Sequence, residues 1–232
     1  MRFDVLTLFP EMVENYFQYS ILKRAVEGGI VTVNTINPRD YTENKHKKVD
    51  DIPYGGGAGM VLMPQPYVDA YTAIKKQENS TTIMLSPQGE PLTDKIVNEL
   101  AEYEQIIMLC GHYEGFDERI REIIKPREIS IGDFVLTGGE LPALCLIDSV
   151  SRKIEGTLGR IESADEDSFS NGLIEYPQYT RPRDFRGYKV PEVLLNGNHK
   201  DIKEYRYQQS LERTKIKRPD LYEQYKKDHP EI

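Results

Sequence analysis

Gln105-Ile106-Ile107-Met108-Leu109-Cys110-Gly111-His112-Tyr113-Glu114-Gly115, followed downstream by Glu128-Ile129-Ser130-Ile131-Gly132-Asp133-Phe134-Val135-Leu136-Thr137-Gly138-Gly139-Glu140-Leu141-Pro142, decides how the rest of the chain is read. Each segment is a short apolar run that stops at glycines. A helical stretch follows each, Phe116–Ile124 and Leu141–Ile154, the second with Pro142 near its first turn. Uninterrupted apolar strands are buried on both faces, as in parallel sheets crossed over by helices. The alternation extends outward. Arg2–Leu8, Val31–Asn37 and Thr81–Leu85 read as strands, and Ile21–Val26, Pro66–Lys76 and Thr93–Tyr103 as helices, the last capped by Thr93. Pro10 closes the first strand, Gly28-Gly29 ends a helix, and Gly55–Gly59 is a turn of unusual backbone geometry. The class is α/β, with a parallel sheet covered on both sides. Residues 157–176 lack periodicity and read as a mobile linker. His199–Lys217 and Asp220–Lys227 read as helices of a small C-terminal domain.

The 232 residues, 38% of them hydrophobic, suffice for one large domain or a domain with an appendage. A net charge of -8 excludes a uniformly basic nucleic-acid binder, but the charge is uneven. Residues 162–178 carry -5 and residues 179–218 carry +6. Ordinary surface variation and a face for a polyanion both fit that asymmetry. Cys110 and Cys145 form no CxxC pair, which argues against a disulfide scaffold and a cysteine zinc site. No apolar run approaches the ~20 residues of a membrane span. With Asp4 near its start, the N-terminus reads as a strand and not a signal peptide, so a soluble, cytoplasmic protein is expected.

Ligands of parallel sheets gather at the carboxyl ends of the strands. Three such ends here meet small or glycine-rich segments: Ser86–Gly89, Gly111–Gly115 and Gly132–Glu140. Any one fits a tight turn; three together favour a nucleotide-sized pocket. The chain has no GxxxxGK[ST], and no GxGxxG after its first strand. A ligand without a phosphate chain fits better, S-adenosylmethionine among them. His46, His112, His199 and His229 lack metal-ligand spacing, and only His112 stands out, for its loop. The acidic run Ser163–Phe169 is either a solvated linker or the source of a general base, since clustered carboxylates raise one another's pKa. Arg152, at a helix end, reads by itself as a surface charge.

Asp51–Met60, Leu85–Gly89, Gly111–Arg119, Ser130–Pro142, Glu166–Phe169 and Tyr179–Pro182, with Asn196–His199 and Arg218–Leu221, together resemble the bacterial TrmD family over the length of the chain. Its members are tRNA (guanine-N1)-methyltransferases acting on guanosine 37, beside the anticodon. The resemblance implies a SPOUT-type α/β fold, with a deep trefoil knot in its parallel sheet and a small, mainly helical C-terminal domain. It implies a knotted domain over 1–160, a flexible linker with the catalytic Asp over 161–176, and a tRNA-binding domain over 177–232. It further implies a homodimer with its active site at the subunit interface. By motif match, S-adenosylmethionine would be lined by Leu85, Pro87, Gly111, Tyr113, Glu114, Ile131, Gly132, Asp133, Phe134, Val135, Leu136, Gly138, Gly139 and Pro142. Asp167 would match the general base and Arg152 the catalytic arginine. The family's magnesium requirement would be met without a dedicated protein site. Two positions depart from many members: His112 stands in place of Arg, and Phe134 in place of Tyr. Two other readings are a non-catalytic RNA-binding module and a SPOUT enzyme acting on a ribose 2′-hydroxyl. The presence of both Arg152 and Asp167 argues against the module, and the ribose reaction needs no base at Asp167.

Overall fold

The computed structural model describes residues 1–158 and 167–230. The chain divides into two compact units, Met1–Gly159 and Arg160–Ile232. The first is built on strands β1 (Arg2–Leu6), β2 (Thr32–Ile36), β5 (Ser80–Pro91), β6 (Gln105–Cys110) and β7 (Arg127–Ser130). They pair in parallel in the order β2-β1-β6-β5-β7. A short antiparallel ribbon, β3 (Asp50–Asp51) with β4 (Val61–Leu62), lies outside that sheet.

Alternating side chains explain why the strands read as continuously apolar. On β6, Ile106, Met108 and Cys110 join one core with Phe3, Val5, Ile83 and Leu85. Helices α1 (Pro10–Tyr16), α2 (Ser20–Glu27), α4 (Asp94–Ala101) and α6 (Glu140–Ser151) contribute Val13, Leu22, Leu100 and Ile147 to it. Ile107 and Leu109 belong to a second core, with Leu6, Met84 and residues of α3 (Pro64–Ala73) and α5 (Glu118–Ile124). Each fully buried aliphatic side chain contributes about 1.5–3 kcal/mol, so covering both faces accounts for much of the unit's stability. Asp4 is the buried charge of β1. Its carboxylate accepts hydrogen bonds from Asn34 Nδ2 (2.9 Å), Gln105 Nε2 (2.6 Å) and Arg2 Nε (2.8 Å), which offset its desolvation.

Several boundaries differ from the sequence reading for physical reasons. Pro10 opens α1 as well as following a strand, because its fixed φ suits the first helical position. Strand β5 runs on to Pro91, but Ser86–Gly89 leave the ladder, and pairing with β7 shifts register between Leu85 and Glu90. Thr93 caps α4 as expected, accepting from Ile96 N at 3.4 Å.

The second unit holds α7 (His199–Lys217), α8 (Pro219–Asp228) and a hairpin of β8 (Asp184–Phe185) and β9 (Tyr188–Lys189). Residues 167–175, read as part of a mobile linker, fold against α7. Ile174 N donates to Thr214 Oγ1 at 2.8 Å, Glu175 N donates to Ser168 Oγ at 3.0 Å, and Leu173 is buried. The rest of the acidic run, with Asp165 and Glu166, lies outside the described residues. No helix among the described residues is long and apolar enough to cross a membrane.

Candidate active site

Ser86–Gly89, where β5 leaves its ladder, and the segments after β6 and β7 meet around one cavity of about 260 Å³. Its wall includes Leu85 and Pro87; Gly111, Tyr113 and Glu114; Ile131, Gly132, Phe134, Val135 and Leu136; and Gly138, Gly139 and Pro142. Asp133 sits on the same loop but is exposed and does not line the cavity. Ser86, Gln88, His112, Ser130, Thr137 and Arg121 line it as well. All but Arg121 stand within or beside the three segments, so adjacency was the available signal; Arg121 arrives from α5.

Close backbone packing holds the cavity's shape. Gly139 N donates to Gly111 O at 2.8 Å, and His112 pairs with Gly138 in an antiparallel bridge. A Cβ at Gly139 would lie 2.7 Å from Cys110 Cα and 2.9 Å from Gly111 N, both main-chain atoms. The glycine-rich turn Gly55–Gly59 has a purpose that the sequence did not disclose. A Cβ at Gly59 would overlap the Glu114 carboxylate, so the turn leaves room for that side chain in the cavity wall. The β4 region is tied to the same loop by Leu62 N to Gly115 O (2.9 Å) and Glu114 N to Met60 O (3.0 Å).

Beneath the loops lies a buried polar set. Thr7 Oγ1 donates to Glu140 Oε1 at 2.7 Å, and Tyr67 Oη donates to Cys110 O at 3.2 Å. Burial pushes the Cys110 thiol well above its usual range, and the nearby Glu140 charge adds to this. A thiol held protonated is a poor nucleophile. Cys110 is therefore expected to resist alkylation in the folded protein and to react on unfolding. Mass analysis of alkylated protein checks this, and labelling of native Cys110 at the rate of a free thiol contradicts it.

The cavity's electrostatics limit what it can hold. Apart from His112, its one basic lining residue is Arg121, whose guanidinium is engaged by Glu118 (3.1 Å) and Glu128 (3.2 Å). Among the described residues the wall therefore offers a phosphate chain no arginine or lysine that is not already engaged by carboxylates. Backbone groups, apolar walls and the Glu114 carboxylate suit a phosphate-free ligand with a cationic centre. Among the described residues no group of three or more His, Cys, Asp or Glu side chains converges as a metal site would require.

Of the two residues matched to catalytic roles, Arg152 belongs to the first unit, where it does not line this wall, and Asp167 to the second. Arg152 follows α6, its N–H donating to Asp148 O at 3.1 Å. It borders a cleft with Tyr16, Tyr19, Ser20 and Asp148. Tyr16 Oη donates to Asp148 Oδ2 at 2.7 Å, and that bond, with some burial, pushes the phenol up to about 12. Asp167 opens a turn in the second unit, where its carbonyl accepts from Ser170 N at 3.3 Å. It borders a cavity with His199, Lys203 and Tyr207.

The family model described as tRNA (Guanine-1)-methyltransferase TrmD matches residues 1–224. The chain belongs to the TrmD family. A relative from Staphylococcus epidermidis (strain RP62A) is 56% identical over 225 residues, spanning 97% of this chain and 92% of its own. One from Halalkalibacterium halodurans is 57% identical over 225 residues, with 96% and 92% covered. One from Ruminiclostridium cellulolyticum is 57% identical over 224 residues, with 96% of each chain covered. All three are named tRNA (guanine-N(1)-)-methyltransferase. This TrmD-family chain therefore matches nearly the full length of those relatives, across both of its units.

Proposed function

We propose that the chain transfers a methyl group from S-adenosyl-L-methionine to N1 of guanosine 37 in tRNA, as a cytoplasmic homodimer. The observation that carries the reading is the cavity where Ser86–Gly89 of β5 meet the segments after β6 and β7, walled by the family's motif segments and, among the described residues, with its one arginine engaged by two carboxylates. When bound there, S-adenosylmethionine supplies an electrophilic methyl on a sulfonium centre. The loops from Gly111 and Ile131 would hold its adenosine part by main-chain groups, with Glu114 toward the cationic part. The SPOUT knot is part of this reading through the family resemblance. The homodimer is likewise part of this reading through the family resemblance.

Guanine N1 carries a proton and is a poor nucleophile until it leaves. Asp167 accepts that proton, a role typically worth ~10²–10⁴-fold. Loss of the proton puts negative charge on O6, which Arg152 stabilises more strongly in the transition state than in the ground state. Holding N1 in line with the methyl contributes about 7–11 kcal/mol. The target base must leave its stack to be reached.

The basic stretch 179–218 holds the RNA backbone in this account. Lys215, Lys217 and Arg218 together changed to Ala are expected to weaken tRNA binding and flatten its salt dependence. Arg218 is engaged by Asp220 at 2.6 Å, so Lys215 and Lys217 carry most of the effect. A salt titration of affinity checks this, and an unchanged slope rules the patch out. The activity itself is tested by incubating protein, labelled donor and unmodified tRNA, then digesting to nucleosides. 1-Methylguanosine is expected; a 2′-O-methyl nucleoside overturns the N1 assignment.

A further inference from the structure

The β8–β9 hairpin has no part in the chemistry above. Its register sets Phe185 directly opposite Tyr188, which puts both rings on one face of the ribbon. The turn residues Arg186 and Gly187 take φ of +56° and +87°, the sign pattern of two-residue hairpin loops. Gly187 N donates to Asp184 Oδ1 at 2.9 Å, which fixes the turn. The rings so displayed are 58% and 83% exposed. Arg186 holds its guanidinium 5.1 Å from the Phe185 ring centre. Residues 181–189 contain four cations, Arg181, Arg183, Arg186 and Lys189, and one acid, Asp184, whose carboxylate serves the turn.

Arg183 and Val190, which flank the hairpin, also line a cavity of about 380 Å³ with Tyr176, Tyr179, Arg181 and Arg206. Arg206 stands over the Tyr176 ring at 4.5 Å. The exposed rings Tyr179, Phe185 and Tyr188 each have a cation close by in sequence, Arg181, Arg186 and Lys189. Single-stranded nucleic-acid sites combine these two features, cations along the backbone and aromatic faces for bases.

We propose that this surface is a stacking site for unstacked nucleotides of tRNA. Phe185 and Tyr188 take base faces, and Arg181 and Arg183 take the adjoining phosphates. The inference rests on the tRNA-methyltransferase reading and adds a binding subsite to it. Stacking is indifferent to base identity, so the site adds affinity without choosing a sequence.

The test uses the full chain and unmodified tRNA, with affinity measured across a salt series. Phe185→Ala with Tyr188→Ala is expected to weaken binding roughly tenfold or more with the salt slope unchanged. Phe185→Leu with Tyr188→Leu, which keeps bulk and removes the π-face, is expected to lose as much. Arg181→Ala with Arg183→Ala is expected to lower both affinity and slope, the slope by about one to two. Thermal unfolding midpoints equal to the parent's are expected, since the rings are exposed. Unchanged affinity in the aromatic variants overturns the proposal. So does a changed sedimentation coefficient in them, which assigns the rings to a contact between copies of the chain. A parent protein that neither binds nor methylates tRNA sinks the enzyme reading instead, so the two failures are distinguishable.

Discussion

Asp167→Asn is expected to lower methyl transfer by ~10²–10⁴-fold, the worth of a positioned general base. Binding of S-adenosylmethionine and of tRNA is expected to stay nearly unchanged. The substitution keeps the size of the side chain and leaves intact the main-chain carbonyl that accepts from Ser170 N. It removes the ability to hold a proton taken from guanine N1. Single-turnover rates with saturating donor and tRNA give the chemical step directly, and separate equilibrium titrations give the two affinities. Normal turnover in the variant discards the base assignment. Loss of tRNA affinity equal to the loss of rate assigns Asp167 to binding, and the proton then needs another acceptor.

The second large effect is expected from Gly139→Ala. The new methyl would sit 2.7 Å from Cys110 Cα and 2.9 Å from Gly111 N. A flexible side chain could turn away from such an intrusion, but here the neighbours are main chain at the buried end of β6. The hydrogen bond from Gly139 N to Gly111 O must lengthen or break as the two segments part. Overpacking of this kind costs about 1–3 kcal/mol. In a domain of this size that lowers the unfolding midpoint by roughly 2–4 °C per kcal/mol. The same displacement moves the segments on both sides of the cavity, so affinity for S-adenosylmethionine is expected to fall more than stability alone explains. Thermal unfolding and a donor titration check the two parts. An unchanged midpoint and unchanged affinity would falsify the view that this glycine pair sets the cavity's shape.

How much was legible in the sequence depended on whether a feature was periodic. β6 and the run into β7 were readable because apolar strands between helices leave a continuous hydrophobic signal. α7 was readable over its full span, His199–Lys217, because a long helix repeats its pattern several times. The hairpin at 184–189 was not, since two-residue strands have no period to detect. Residues 167–175 escaped for another reason. Their anchors are bonds from main-chain N–H groups to Thr214 and Ser168 hydroxyls, and Thr214 is distant in sequence.

The cavity wall divides in the same way. Glycines at three strand ends announced a pocket, and motif resemblance named its residues. The role of Gly59 beside Glu114 needed the tertiary structure, because nothing local links residues 55 apart. Arg121 was invisible for a similar reason: on α5 it is one more helical cation, and only packing brings it to the wall, with Glu118 and Glu128 engaging it. Asp133 stands apart from the residues on either side of it. Its neighbours line the cavity while its own side chain is exposed.

The central claim is that a base at one position of tRNA receives the methyl group. The most direct test compares unmodified tRNA carrying guanosine 37 with the same tRNA carrying adenosine there, using labelled S-adenosylmethionine and quantifying methyl incorporation. The account predicts stoichiometric 1-methylguanosine in the first and none in the second. Equal incorporation into both contradicts it, because the methyl would then be going to another position.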